Sequence, residues 1–214
     1  MHIPMEQLVP CLGVVLANVK CASPLQAVLN VQKNRNLGGL NPVPLLAVTA
    51  NNAGFASYSA FATHDPYVLA ATVPGLLAGL FYVGVTHQYA AQHEQLLLRR
   101  LGSGYAVVLV LAALACASPA MCSSDILGPL AMTSLLLWYS SSLPALVEAF
   151  RGRTTPRIHA PLAATTLCNA MLWLTYGLAE SDAYVCTAQA YGVLMALAQL
   201  VMLRALSSAQ EATA

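Results

Sequence analysis

The sequence predicts an all-α membrane protein with seven transmembrane helices, arranged as two parallel three-helix bundles joined by a linker helix (3+1+3). Three observations predict it: too few charges to cover a wet surface, one unit that occurs twice, and basic residues confined to alternate loops. Of 214 residues, 58% are hydrophobic and 8% charged. A soluble domain carries roughly 25% charged residues. Lipid is the solvent such a chain fits, and a spanning helix needs about 20 mostly apolar residues. Seven stretches qualify: 8–32, 43–63, 67–90, 98–120, 125–149, 159–179 and 183–206. They leave only short loops. No cleavable signal peptide is expected, since the start lacks a basic segment and carries Glu6.

The repeat is read from residues that chance rarely aligns. Pro44 recurs as Pro161, and Asn51 to Tyr58 as Asn169 to Tyr176. Asp65, Tyr67, Val68 and Gly75 recur as Asp182, Tyr184, Val185 and Gly192. The offset is 117 to 118, so a one-residue slip is the only adjustment. Many transporters are built from such repeats and bind substrate where the repeats meet.

Charge gives the orientation. Lys33, Arg35, Arg99, Arg100, Arg151, Arg153, Arg157 and Arg204 all fall on one side of the seven spans. The opposite loops carry Asp65, Asp125, Glu180 and Asp182. By the positive-inside rule, the N-terminus is outside and the C-terminus cytosolic. Both repeats have a basic loop after their first helix and an acidic loop after their second, so they are parallel. Three spans each is odd, so one unpaired helix must lie between them. The expected divisions are a first bundle at 8–92, the linker helix at 93–123, a second bundle at 124–207 and a short cytosolic tail at 208–214. Gly102-Ser103-Gly104 and Ser118-Pro119 read as punctuation at the linker's ends.

Pro24, Pro44, Pro144 and Pro161 lie inside or at the edge of the first two helices of each triplet. A proline within a helix removes one backbone hydrogen bond, and membranes tolerate this where neighbours satisfy the freed carbonyl. The symmetric set reads as paired hinges.

The segment Asn169-Ala-Met-Leu-Trp173-Leu-Thr-Tyr176-Gly177, followed by Asp182 and Gly192, resembles the second triple-helix motif of the SWEET sugar uniporters. Ser23-Pro24, Lys33-Asn34-Arg35-Asn36 and Asn41-Pro-Val-Pro44 resemble the start of the first. The resemblance implies passive, bidirectional movement of a mono- or disaccharide by alternating access. In that family an Asn on the third helix of each triplet, three residues before a Gly, faces the sugar. The matching positions are Thr72 and Gln189, both departures from Asn. Trp173 matches the family's pocket aromatic, and its repeat partner is Phe55.

Chemistry supports such a site. A sugar offers hydroxyls and an apolar ring face, so its pocket needs amide or hydroxyl partners and an aromatic platform. Asn169 and Trp173 are four residues apart, hence on one helix face, as are Asn51 and Phe55. With Thr72 and Gln189 they make a symmetric, neutral set of six. The Asn pair has a second reading, as interhelical hydrogen-bonding glue.

No carboxylate or histidine lies deep in a span, so an uncoupled carrier is expected. Lys20 stands out, mid-span, and either lines a path or snorkels outward. No cofactor or metal is expected, because no Cys/His cluster has ligand spacing and no catalytic motif appears; the chain is not read as an enzyme. The expected partners are a small-molecule sugar, the lipid bilayer and a homo-oligomer, with no nucleic acid. The membrane is the plasma membrane or an internal one such as the Golgi. Alternative functions are a carrier of another small neutral metabolite or amino acid, or a small seven-helix receptor.

Overall fold

A computed structural model of the chain describes residues 5–117, 123–141, 143–151 and 160–211. They form helices throughout: α1 (Met5–Ala22), α2 (Leu25–Asn34), α3 (Val43–Tyr58) extended by a π-helical turn (Ser59–Thr63), α4 (Pro66–Tyr89), α5 (Gln92–Cys116), α6 (Ser123–Ser140), α7 (Leu143–Phe150), α8 (Ala160–Ala179) and α9 (Ala183–Glu211). Among the described residues, helix therefore makes up most of each stretch read as a span. Among the described residues, four segments are long and apolar enough to cross a membrane: Gln7–Asn34, Pro66–Tyr89, Gln92–Cys116 and Ala183–Ala205. The chain falls into two compact units, one of Val14–Leu135 and the other of Met1–Gly13 with Leu136–Ala214.

The first unit is held by close helix approach. Gly75 and Gly79 lie one turn apart on α4, and α3 presses against both. A Cβ at position 75 would sit 2.9 Å from both Asn52 amide atoms and 2.8 Å from Cys21 Sγ. One at position 79 would collide with Thr49. Gly54 does the same on α3, with Ser134 Oγ and Ala131 Cα of α6 at 3.0 and 3.2 Å from where its Cβ would be. Small residues at helix crossings are how helices associate in lipid, where hiding apolar surface gains little. Beyond the glycines, Val28, Val31, Leu45, Tyr82 and Val85 close a buried core between α2, α3 and α4.

In the second unit α8 packs along α9. Val185 Cγ1 stands 2.9 Å from where a Cβ on Gly177 would lie, and the Tyr139 ring of α6 fills the place a Cβ on Gly192 would take. The glycines of the two α9-like helices are thus used alike, Gly75 and Gly192 each receiving a side chain from the first helix of a triplet.

The prolines punctuate rather than interrupt. Pro24 precedes α2, Pro44 is the second residue of α3, Pro144 of α7 and Pro161 of α8. Pro24 has no N–H for the Lys20 carbonyl; Ser23 supplies both its N–H (3.2 Å) and its hydroxyl (2.8 Å) instead. The next carbonyl, Cys21, accepts from Tyr82 OH at 3.1 Å. Span 8–32 is two helices for this reason, and span 125–149 holds both α6 and α7. At the end of α6, Ser141 makes bonds of the same kind, its N–H (3.1 Å) and hydroxyl (2.6 Å) meeting the Trp138 carbonyl. The prolines inside helices are others: Pro10, Pro74 and Pro129.

One expectation is corrected. Gly102-Ser103-Gly104 does not end a helix but lies within α5; away from water the backbone keeps its intrahelical hydrogen bonds, outweighing a penalty of about 1 kcal/mol per glycine. Separately, α9 runs on into the expected tail as far as Glu211, where Ala209, Gln210 and Glu211 are good helix formers. Ser118-Pro119, Cys122, Arg153, Arg157 and His159 lie outside the described residues.

The clearest structural trace of the duplication is a cap. Asp65 Oδ1 accepts from Tyr67 N–H (2.8 Å) and Val68 N–H (3.2 Å) at the start of α4. Asp182 Oδ1 accepts from Tyr184 N–H (2.9 Å) and Val185 N–H (3.0 Å) at the start of α9. The residue before each cap is left-handed, His64 at φ 54° and Ser181 at φ 57°. Such caps satisfy helix N–H groups that otherwise lack partners and are worth about 1 kcal/mol. Asp65→Ala and Asp182→Ala are each expected to lower the melting temperature of the detergent-solubilised protein by about 2–4 °C, measured by thermal unfolding.

Candidate functional site

The six neutral residues divide evenly between the units. Asn51, Phe55 and Thr72 lie in the first; Asn169, Trp173 and Gln189 lie in the second. Each unit presents the same helix face, an Asn followed four residues later by an aromatic.

On α3, Phe55 is buried and meets Tyr58 edge-on, centroids 6.4 Å apart at 82°. On α8, Trp173 is buried and meets Tyr176 edge-on, centroids 5.6 Å apart at 87°. Edge-to-face pairs fix both rings, so each repeat holds its aromatic in the same way. The Trp173 indole edge is bounded by Gly13 of α1: a Cβ there would stand 3.1 Å from Cε2 and 3.3 Å from Nε1.

The amides are the more informative groups. Asn51 Oδ1 and Asn169 Oδ1 are both buried, and neither has a hydrogen-bond partner among the described residues. Buried polar atoms are satisfied in the large majority of cases, and leaving one unpaired costs about 1–3 kcal/mol. Finding two at equivalent positions of a repeat points away from packing glue. The glue is supplied by the neighbour, Asn52, which sequence reading passed over. Its Nδ2 donates to the Val48 carbonyl at 2.9 Å and reaches Cys21 Sγ at 3.8 Å. The doublet Asn51-Asn52 thus divides its labour: one amide packs and the other keeps a bare oxygen.

Thr72 and Gln189 are both buried. The Thr72 hydroxyl donates to the Val68 carbonyl at 2.7 Å, leaving oxygen lone pairs as its free capacity. Gln189 Oε1 accepts from Tyr139 OH at 3.0 Å. Neither Tyr139 nor Gly13 carried a signal in the sequence. Aligning the repeats by 118 residues places Tyr139 opposite Cys21, and that alignment would have revealed its contact with Gly192.

Lys20, at the end of α1, keeps its Nζ buried instead of extending it to the surface. Among the described residues no three or more His, Cys, Asp or Glu side chains gather as a metal site. The arrangement can bind hydroxyls and stack on an apolar ring face; it has no group placed for acid–base or nucleophilic chemistry.

The model of the family described as "Sugar efflux transporter for intercellular exchange" matches the chain twice, at residues 7–94 and 125–211. The rat "Sugar transporter SWEET1" is 24% identical over 181 residues, covering 81% of this chain and 78% of its own. The mouse protein of the same name is 24% identical over 179 residues, covering 80% and 77%. A solved structure of a eukaryotic SWEET transporter superposes with a TM-score of 0.75 at 18% identity, covering 95% of this chain and 99% of that one.

The tight fit of Gly13 to the indole has a consequence. Gly13→Leu places a branched side chain where Trp173 now lies and must displace it. The expected result is a shift in intrinsic tryptophan emission together with at least about a tenfold fall in transport, equivalent to about 1.4 kcal/mol; an unchanged spectrum and flux would show the contact to be incidental.

Proposed function

Because the chain belongs to the MtN3/SWEET family of sugar transporters, we propose that it is a bidirectional, energy-independent uniporter of a mono- or disaccharide. It works by alternating access of two parallel triple-helix bundles, seven spans in all, with the N-terminus outside and the C-terminus cytosolic. The membrane is the plasma membrane or an internal one such as the Golgi, and the carrier assembles as a homo-oligomer. The relatives named as sugar transporters support the substrate class.

The single observation that carries this reading is the pair of buried, partnerless oxygens, Asn51 Oδ1 and Asn169 Oδ1. A sugar hydroxyl donates to such an oxygen and recovers what burial has cost it. One turn away, Phe55 and Trp173 offer the apolar face a pyranose ring needs. Thr72 contributes an acceptor and Gln189 a donor. None of the six ionises, so binding moves no charge and needs no ion to follow. Pro24, Pro44, Pro144 and Pro161 act as hinges: Pro24 stands just before α2 and the others are the second residues of α3, α7 and α8, so a rigid helix can swing there without breaking bonds in its interior. The departures at Thr72 and Gln189 favour, as the second reading, a carrier of another small neutral metabolite or amino acid.

Tracer flux in proteoliposomes tests the proposal. Glucose, fructose or sucrose should equilibrate in both directions with no ion gradient, and a protonophore should change nothing. Trp173→Ala should reduce flux about tenfold or more, the loss of roughly 1.5 kcal/mol of ring contact. Uptake that follows a proton gradient would contradict the uncoupled mechanism, and flux of a neutral amino acid without sugar flux would replace the substrate.

A further inference from the structure

Gln189 is held by a residue that no repeat identity marks. Its amide can present two different faces: a carbonyl oxygen that accepts, or an NH2 group that donates. A freely turning glutamine offers either. Here Tyr139 removes the choice. Its hydroxyl donates to Gln189 Oε1 at 3.0 Å, and both residues are buried. The ring lies directly against Gly192, three residues further along α9, where not even a methyl group would fit. The next residue of α6 adds a second tie to the same helix, Ser140 Oγ to Tyr191 OH at 2.9 Å. With Oε1 engaged, Gln189 Nε2 is the amide group left over to donate.

The first repeat does the opposite. Cys21 stands against Gly75, as Tyr139 stands against Gly192, but a thiol has no reach to position 72 and no strong donor to give. Thr72 instead directs its own proton to the Val68 carbonyl and is left with lone pairs. One repeat therefore shows an acceptor and the other a donor. The near-symmetric scaffold is made polar by two differences between the repeats, Tyr139 for Cys21 and Gln189 for Thr72.

We infer that Tyr139 is a positioning residue that fixes Gln189 as a hydrogen-bond donor, and thereby sets which hydroxyl pattern the carrier selects. This rests on the sugar-transport reading above. Specificity of this kind is strong, because a site built around one polar pairing leaves buried groups unmatched with the wrong substrate.

The test uses the full chain in proteoliposomes, with glucose and two series of analogues as probes: deoxyglucoses, and the fluorodeoxyglucoses altered at the same carbons. Fluorine accepts a weak hydrogen bond but has no proton to donate; hydrogen does neither. At the carbon that meets Gln189, the wild-type carrier should bind the fluoro sugar more tightly than the deoxy sugar. Tyr139→Phe keeps the ring against Gly192 but frees the amide. It should raise KM by about fivefold, the size of one neutral hydrogen bond, leave the maximal rate unchanged, and abolish the fluoro-over-deoxy preference. Added to Gln189→Ala, Tyr139→Phe should raise KM no further. Gln189→Glu replaces the NH2 with an acceptor at the same size and should also erase the preference, which gives an independent check if the Phe variant does not reach the membrane. A purely structural tyrosine would instead lower the melting temperature and the maximal rate while leaving KM and the analogue preference alone; that result, or additive effects in the double variant, would overturn the inference. A wild-type carrier that moves no sugar would overturn the sugar reading itself, whereas sugar flux with an unaltered preference in Tyr139→Phe would overturn the role of Tyr139 alone.

Discussion

Close approach of helix backbones is the constraint on which the rest depends. In lipid a helix gains little by hiding its leucines from its surroundings, so association rests on contact at short range and on hydrogen bonds between helices. Gly75 and Gly79 let α3 come close enough for Asn52 and Thr49 to occupy the space of their missing side chains. Gly192 admits the ring of Tyr139 in the same way. Once these helices are seated, the face of α3 carrying Asn51 and Phe55 and the face of α8 carrying Asn169 and Trp173 are fixed without a hydrogen bond to either Asn Oδ1 among the described residues.

That freedom is what a binding surface requires. A residue that packs the fold cannot also release and rebind a substrate. Asn52 is committed to Val48 and Cys21, while Asn51, beside it, carries a bare oxygen. The aromatic rings are steadied from within their own helices, Phe55 by Tyr58 and Trp173 by Tyr176, so no outside partner must be given up when a ring face is covered. The chemistry is neutral throughout, which suits a ligand that carries hydroxyls and no charge.

Much of the fold was legible because its signals are local and repeated. Among the described residues the seven apolar stretches are mostly helix, and the Asp65 and Asp182 caps could be read from the Asp-x-Tyr-Val match alone. The serine before Pro24 shows why that proline is tolerated: it closes the Lys20 carbonyl that the proline leaves without a donor. Gly102-Ser103-Gly104 misled because turn chemistry learned from water overstates glycine's power to end a helix among apolar neighbours. The candidate site was half legible. Asn51, Phe55, Asn169 and Trp173 stand out by repetition at a spacing of one turn. Tyr139 and Gly13 do not, because their importance lies in contacts between residues 50 and 160 positions apart, and the repeat gives each a partner of a different type. The repeat pairs Asn51, not Asn52, with Asn169, but that Asn52 is the amide that packs is visible only in its hydrogen bonds and in the bare oxygen of Asn51.

The idea that buried oxygens are kept bare for a substrate is tested most directly by removing them. In a protein carrying both Asn51→Leu and Asn169→Leu, no hydrogen bond made by either Oδ1 is lost and an unpaired buried oxygen is removed from each repeat. Melting temperature and sugar flux measured on the same preparation should then diverge, the first equal to or above that of the wild type and the second at least about tenfold lower. A melting temperature lower by about 3 °C or more, with flux per folded molecule unchanged, would show that the two asparagines hold the helices together and do not hold a sugar.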